Sequence, residues 1–167
     1  MIRDVLLLGN PSLRQPCEPV TCAGLPAARE AAQDLRETLV DLRRRLGFGR
    51  GLAAPQIGSR LRVVSLLWPA DMILFNPKIV TAEGEQWVWD DCFSIPGLMM
   101  RVRRALSVTA TYADSRGEEA ELRAEGAAAE LLQHEIDHLD GILALDRVDT
   151  MADVMVREEW RRQFRPE

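Results

Sequence analysis

Apolar residues recur along this chain with two different periods, and the switches between them divide it into a helical beginning, a strand-rich middle and a helical end. Leu35, Leu39, Leu42 and Leu46 recur at spacings of four, three and four on an otherwise charged segment. That segment opens near Pro26, where a first helical turn tolerates proline, so it predicts an amphipathic helix of about five turns laid on the core. Before it, residues 6–20 are punctuated by Asn10, Pro11, Pro16 and Pro19 and predict an irregular arm. Segments 61–67, 72–80, 85–89, 105–112 and 120–124 are β-rich runs separated by Pro, Gly and Asp turns. Residues 107–112 alternate cleanly, as a half-buried strand should, and Asp114-Ser115-Arg116-Gly117 reads as a hairpin turn. Trp87 and Trp89 fall on one face of their strand and read as core or cleft wall. An Ala/Leu-rich segment closed by Gly141 returns to a helical pattern. From Asp149 onward the chain reads as helix again, with Val154, Val156, Trp160 and Phe164 as its apolar contacts.

These elements predict an α+β fold: short antiparallel β-sheets packed around a central helix, with an N-terminal amphipathic helix and a C-terminal helix. No repeat, low-complexity tract or change of composition divides the chain, so residues 1–167 are expected to form one domain. A hydrophobic content of 47% is enough to fill one core without disulfides. A net charge of -5 argues against a general nucleic-acid or anionic-membrane surface, so neither DNA nor membrane is an expected partner. The longest apolar runs, such as 63–68, fall well short of the ~20 residues that cross a bilayer. The first residues lack the length and cleavage site of a signal peptide, which leaves a cytoplasmic protein as the expectation. Arg43-Arg44-Arg45 sits where cations in a last helical turn offset the helix dipole.

The candidate chemistry concentrates in Gln133-His134-Glu135-Ile136-Asp137-His138, an HExxH pattern that holds both of the chain's histidines. A separation of four residues brings the two imidazoles within roughly 40° of each other, one helical turn apart, so both can converge on one metal. Glu135 points aside and is free to act on water beside that metal. A catalytic site of this kind takes three protein ligands and leaves one position open. Glu158 and Glu159, some twenty residues past His138, would make a thermolysin-like site. That class needs a larger chain, and solvated charge on an Arg-rich helix accounts for both residues. Cys92 is the better candidate. It stands in Asp90-Asp91-Cys92-Phe93-Ser94-Ile95-Pro96-Gly97, just past a strand, where proline and glycine fix the backbone. Cys17 and Cys22 match no tight zinc knuckle and read as core filler, with a redox pair as the alternative. Gly47, Gly49, Gly51 and Gly58 bracket Leu52-Ala53-Ala54-Pro55-Gln56, small residues that let backbone approach a ligand closely. Among these, Gln56 alone has a side chain able to donate a hydrogen bond.

Taken in order, Gly49-Arg50-Gly51-Leu52-Ala53-Ala54-Pro55-Gln56, Asp90-Asp91-Cys92-Phe93-Ser94 and Gln133 to His138 resemble the three motifs of peptide deformylases. Asn10-Pro11, Leu13-Arg14, Pro19-Val20 and Asn76-Pro77 are similar too, so the resemblance covers nearly the whole chain. It implies removal of the formyl group from the N-terminal methionine of new proteins, by a metal-dependent hydrolase acting on a linear amide. Cys92, His134 and His138 would hold one divalent ion, Fe²⁺ in the cell with Zn²⁺, Ni²⁺ or Co²⁺ as substitutes. Glu135 would move the proton, and Gln56 and the Phe93 backbone N–H would stabilise the oxyanion, with Gly51 also among the catalytic positions. Asp90 would pair with Arg104, and Asp137 and Gln133 would steady the imidazoles from behind. The expected partner is a formylated peptide, with transient ribosome contact through Arg157, Arg161, Arg162 and Arg165 as the alternative to solvated helix surface. A monomer is expected rather than a dimer.

The chain departs from the family pattern at Asp91, where a glycine is usual, and at Arg50 and Glu130, where apolar residues usually line the methionine pocket beside Val88. An unpaired charge in a closed pocket would be too costly, so Arg50 and Glu130 are expected either to pair across it or to read a polar substrate group. The second reading carries an alternative function, an amidohydrolase acting on a different small formyl or acyl amide.

Overall fold

The computed structural model describes residues 1–164. Helix α1 (Leu25–Leu46) takes Pro26 in its first turn and ends where Gly47 turns left-handed at φ 77°. Leu35, Leu39 and Leu42 are buried as their spacing predicts, whereas Leu46 stays exposed in the last turn. Arg44 and Arg45 at the end of the helix both pair with Asp41.

Two antiparallel sheets follow. The first orders strands β1 (Gly51–Ala53), β2 (Val63–Leu66), β3 (Met72–Glu83), β6 (Ser107–Ala113) and β7 (Glu119–Glu125) in the sequence β1-β2-β3-β6-β7. The second orders β4 (Gln86–Cys92), β5 (Ile95–Arg104) and β8 (Val154–Val156) in the sequence β4-β5-β8. Asp114 accepts from the backbone N–H groups of Arg116 and Glu118, which makes the expected turn between β6 and β7. The N-terminal arm carries one 3-10 turn, Pro11–Arg14, capped by the Asn10 side chain. It is held to the body by Asn76, whose amide both donates to and accepts from the Val20 backbone.

Helix α2 (Ala127–Leu139), which carries the histidines, buries Leu131, Leu132, Ile136 and Leu139 against Val64, Leu66, Leu74, Val108 and Ala110 of the first sheet. A second core forms under α1 from Leu35, Leu39, Leu52, Val63 and Phe75. A third joins Leu13, Cys92, Ile95, Met100, Val102 and Leu143. Cys92 and the histidine helix therefore belong to different cores, and the candidate site lies on the seam between them.

Three expectations need correction. Residues 154–156 are not helical: Val154, Met155 and Val156 pair with Met100, Met99 and Leu98, and only then does helix α3 (Arg157–Phe164) begin. Their β-branched residues suit a sheet edge, and the helical reading merged them with the real helix behind. Strand β5 was hidden by Pro96 and Gly97 at its start, where Gly97 adopts φ 81°. Trp87 is not core, being 45% exposed beneath the guanidinium groups of Arg101 and Arg103. Trp89, by contrast, does wall the cleft.

Candidate metal centre and its cavity

Cys92 closes strand β4, and His134 and His138 stand one turn apart on α2. Cys92 Sγ lies 3.2 Å from His138 Nε2, which in turn lies 3.2 Å from His134 Nε2, and the three are 4%, 1% and 6% exposed. Tetrahedral bonds of ~2.0 Å to nitrogen and ~2.3 Å to sulfur would set such atoms about 3.3 to 3.6 Å apart. The three donors thus fit one small soft-to-borderline cation. Among the described residues, no metal-compatible cluster contains Glu158, Glu159, Cys17 or Cys22. Cys17 is buried and fills core as expected, but Cys22 is exposed.

Behind the histidines the charges are fully matched. The Asp90 carboxylate accepts from His134 Nδ1 at 2.9 Å and from Arg104 Nη2 at 3.0 Å. Arg104 also donates to Asp137, whose carboxylate is closed off by Arg147. Burial alone would raise the Asp90 pKa, but His134 and Arg104 outweigh it and hold the group down at about 2. Burial would likewise lower the His134 pKa, yet Asp90 keeps that imidazole well above its ordinary value. An imidazole backed by a carboxylate has a fixed ring and a more basic far nitrogen, as a metal ligand requires.

Asp90 therefore does more than pair with Arg104: it grips His134 directly. Asp137 reaches the histidines only through Arg104. Gln133 reaches neither imidazole, because its side chain is spent on the backbone of Ala105 and Ala129. The expectation that Gln133 fixes a ring nitrogen is thus corrected, and His138 Nδ1 has no hydrogen-bond partner. Gln133 was misassigned because adjacency in sequence to His134 is not adjacency on a helix face.

Glu135 is 3% exposed, and its Oε2 has no partner. Burial, with Asp90 and Glu130 adding to it against His134 and Arg50, pushes its pKa up to about 7. The β1 backbone runs directly against it: a Cβ added at Gly51 would lie 2.6 Å from Glu135 Oε1. Gln56 is held in the 3-10 turn Ala54–Ile57, where its carbonyl oxygen accepts from Ala53 N. Its amide nitrogen is left to face Cys92 Sγ at 3.6 Å and Ser94 Oγ at 3.2 Å. Phe93, one residue past the cysteine, stacks on Phe48 with ring centroids 5.6 Å apart.

These groups open into a cavity of about 820 Å³ that Val88, Asp91, Arg50 and Glu130 also line. Arg50 Nη2 donates to Glu130 Oε2 at 2.7 Å, so the two departures pair across the cavity. Arg157 of α3 pairs with Asp91 at 2.7 Å and lies 4.8 Å over the Phe48 ring. Sequence reasoning missed Arg157 and Arg147 as structural partners of the site. Arg157 is one arginine among several in a charged helix, Arg147 stands alone in a mixed stretch, and no local pattern marks either.

A protein-family model described as "Polypeptide deformylase" matches residues 2–154. A peptide deformylase from Thermomicrobium roseum is 37% identical over 158 residues, covering 89% of this chain and 86% of that one. Among solved structures, a peptide deformylase from Legionella pneumophila matches with a TM-score of 0.82 at 35% identity, covering 97% of this chain and 92% of that one. Another from Synechococcus elongatus, in complex with actinonin, matches with a TM-score of 0.82 at 33% identity, covering 90% and 81%.

Proposed function

The chain belongs to the peptide deformylase family: it is a hydrolase that removes the formyl group from nascent polypeptides, and we propose that Glu135 moves the proton in that reaction. The observation that carries this reading is the unpartnered Glu135 Oε2 at the edge of a buried Cys-His-His triad. Cys92, His134 and His138 would hold one divalent ion, and a thiolate beside two imidazoles suits ferrous iron, with zinc, nickel or cobalt as substitutes. Bound there, such an ion would supply Lewis acidity, bringing the pKa of water from ~15.7 toward ~7.

The residues around it do the rest. Glu135, poised near neutrality, takes the proton from the attacking water at Oε2 and returns it to the departing amine. The Gln56 amide and the Phe93 backbone N–H donate to the oxygen on which charge develops, each such donor being worth ~2.7 to 4 kcal/mol. Gln56 is suited to this because its own carbonyl is already tied down, which fixes the direction of its amide. Gly51 leaves room for the base, and Asp90 and Arg104 keep His134 in register.

Identity to peptide deformylases along most of the chain favours the peptide reaction over hydrolysis of another small acyl amide. We place the enzyme in the cytoplasm; among the described residues no helix is long and apolar enough to cross a membrane. Helix α3 turns Arg157 and Arg161 toward its own cleft. Arg157 is taken by Asp91 and Arg162 by Glu159, while Arg165 lies outside the described residues. The test is formate release from formyl-Met-Ala-Ser by the metal-loaded protein and by Glu135→Ala. Loss of about 10²-fold or more with the metal retained supports the assignment. Undiminished release would remove Glu135 from the mechanism.

A further inference from the structure

The wall that receives the first side chain is not apolar. Glu130 stands one helical turn before His134 on α2 and is 5% exposed. Arg50 immediately precedes Gly51, the residue whose missing Cβ leaves room for Glu135. Both charges are therefore one step from groups that act on the substrate, and both line the cavity that the substrate must enter. Arg50 is fixed from three sides: by Glu130 at 2.7 Å, by the Ala127 carbonyl at 3.3 Å and by the Trp68 ring at 5.6 Å. A guanidinium has five N–H donors, and these two hydrogen bonds do not exhaust them. With its side chain 38% exposed, Arg50 remains open to the cavity.

A thioether laid on this pair would strip water from it and return only a weak acceptor. A side chain of the same length ending in an acceptor would replace the water it displaces. Resting on the deformylase reading above, the geometry points to a first-residue pocket in which Arg50 and Glu130 favour formyl peptides whose first side chain ends in a hydrogen-bond acceptor. The form of the initiator residue with that chemistry is methionine sulfoxide, which keeps the length of methionine and gains one strongly accepting oxygen. Arg50 donates to that oxygen, and Glu130 holds the guanidinium in place and balances its charge.

The experiment compares kcat/KM on formyl-Met-Ala-Ser, its sulfoxide and formyl-Gly-Ala-Ser, for the metal-loaded parent and for the double variant Arg50→Ile with Glu130→Ile, which leaves no charge orphaned. The parent is expected to turn over the sulfoxide better than methionine by about fivefold or more, and the double variant to prefer methionine by about 50-fold or more, chiefly through KM. Preference of the parent for methionine over the sulfoxide would overturn the inference, and this comparison stands on the parent alone should the variant fail to fold. Preference of the parent for the glycine peptide over both others would also overturn it, because the pair would then be a plug that fills the slot. Formate from none of the three peptides would sink the deformylase reading itself and the inference with it, an outcome separate from turnover with the wrong preference.

Discussion

Helix α2 presents a carboxylate–guanidinium pairing on each side of the histidines, and the two are in opposite states. On the buried side, Asp90, Arg104, Asp137 and Arg147 form a chain in which Asp90 and Arg104 are 2% and 4% exposed and only its far end, Arg147, reaches solvent. On the cavity side, Arg50 and Glu130 form a single pair with one member open to solvent. Their effects on acidity also run in opposite directions. Asp90 is held down at about 2 by its partners, whereas burial and the nearby Asp90 push Glu130 up despite Arg50. A carboxylate surrounded by fixed cations behaves as scaffolding. One whose burial outweighs its single partner keeps unspent polarity at the surface the substrate meets.

The sharpest way to break this contrast is Arg104→Leu, which strands Asp90 against His134. Removing one partner from a buried pair costs ~3 to 5 kcal/mol, and loosening a carboxylate behind a metal-binding histidine costs ~10 to 100-fold in metal affinity. Chemical denaturation and competitive metal titration would both register the change. A stability loss below about 1 kcal/mol with metal binding intact would mean that the buried chain is dispensable.

A smaller effect comes from pH. The pKa of Asp90 is lower folded than unfolded, so its contribution is present above about pH 4 and lost as pH falls through about 2, amounting to roughly 2 kcal/mol. Asp90→Asn should therefore flatten the acid limb of the stability curve relative to the parent. Glu130 has the opposite sign. Its raised pKa means that stability is fully present below the unfolded value of 4.5 and is lost as pH climbs through the folded value. Glu130→Gln should gain on the parent as pH rises above 4.5, and the gain is kept small because Arg50 is left partly in water. If both variants moved the same way with pH, the distinction between the two sides of α2 would fail.

The convergence of Cys92, His134 and His138 was legible in the sequence because helical spacing alone brings His134 to His138, and a cysteine at a strand end needs only one fold to reach them. The pairing of Arg50 with Glu130 was legible for a different reason: two opposite charges in a closed space have few affordable states. The grip of Asp90 on His134 was not legible, because it depends on how β4 meets α2 across 44 residues of chain. Arg147 and Arg157 were hidden for the same reason, each drawn to the site by tertiary packing from an ordinary charged stretch. Strand β8 was lost because three apolar residues beside a true helix fit either period, and only pairing with β5 decides between them.

Cys92 and His138 meet across 46 residues, and they arrive from separate hydrophobic cores. An ion shared by them is therefore a cross-link between the two halves of the molecule as well as a reagent. Chelation would unstitch that seam, so the protein's rigidity, and not only its turnover, is tied to the supply of metal.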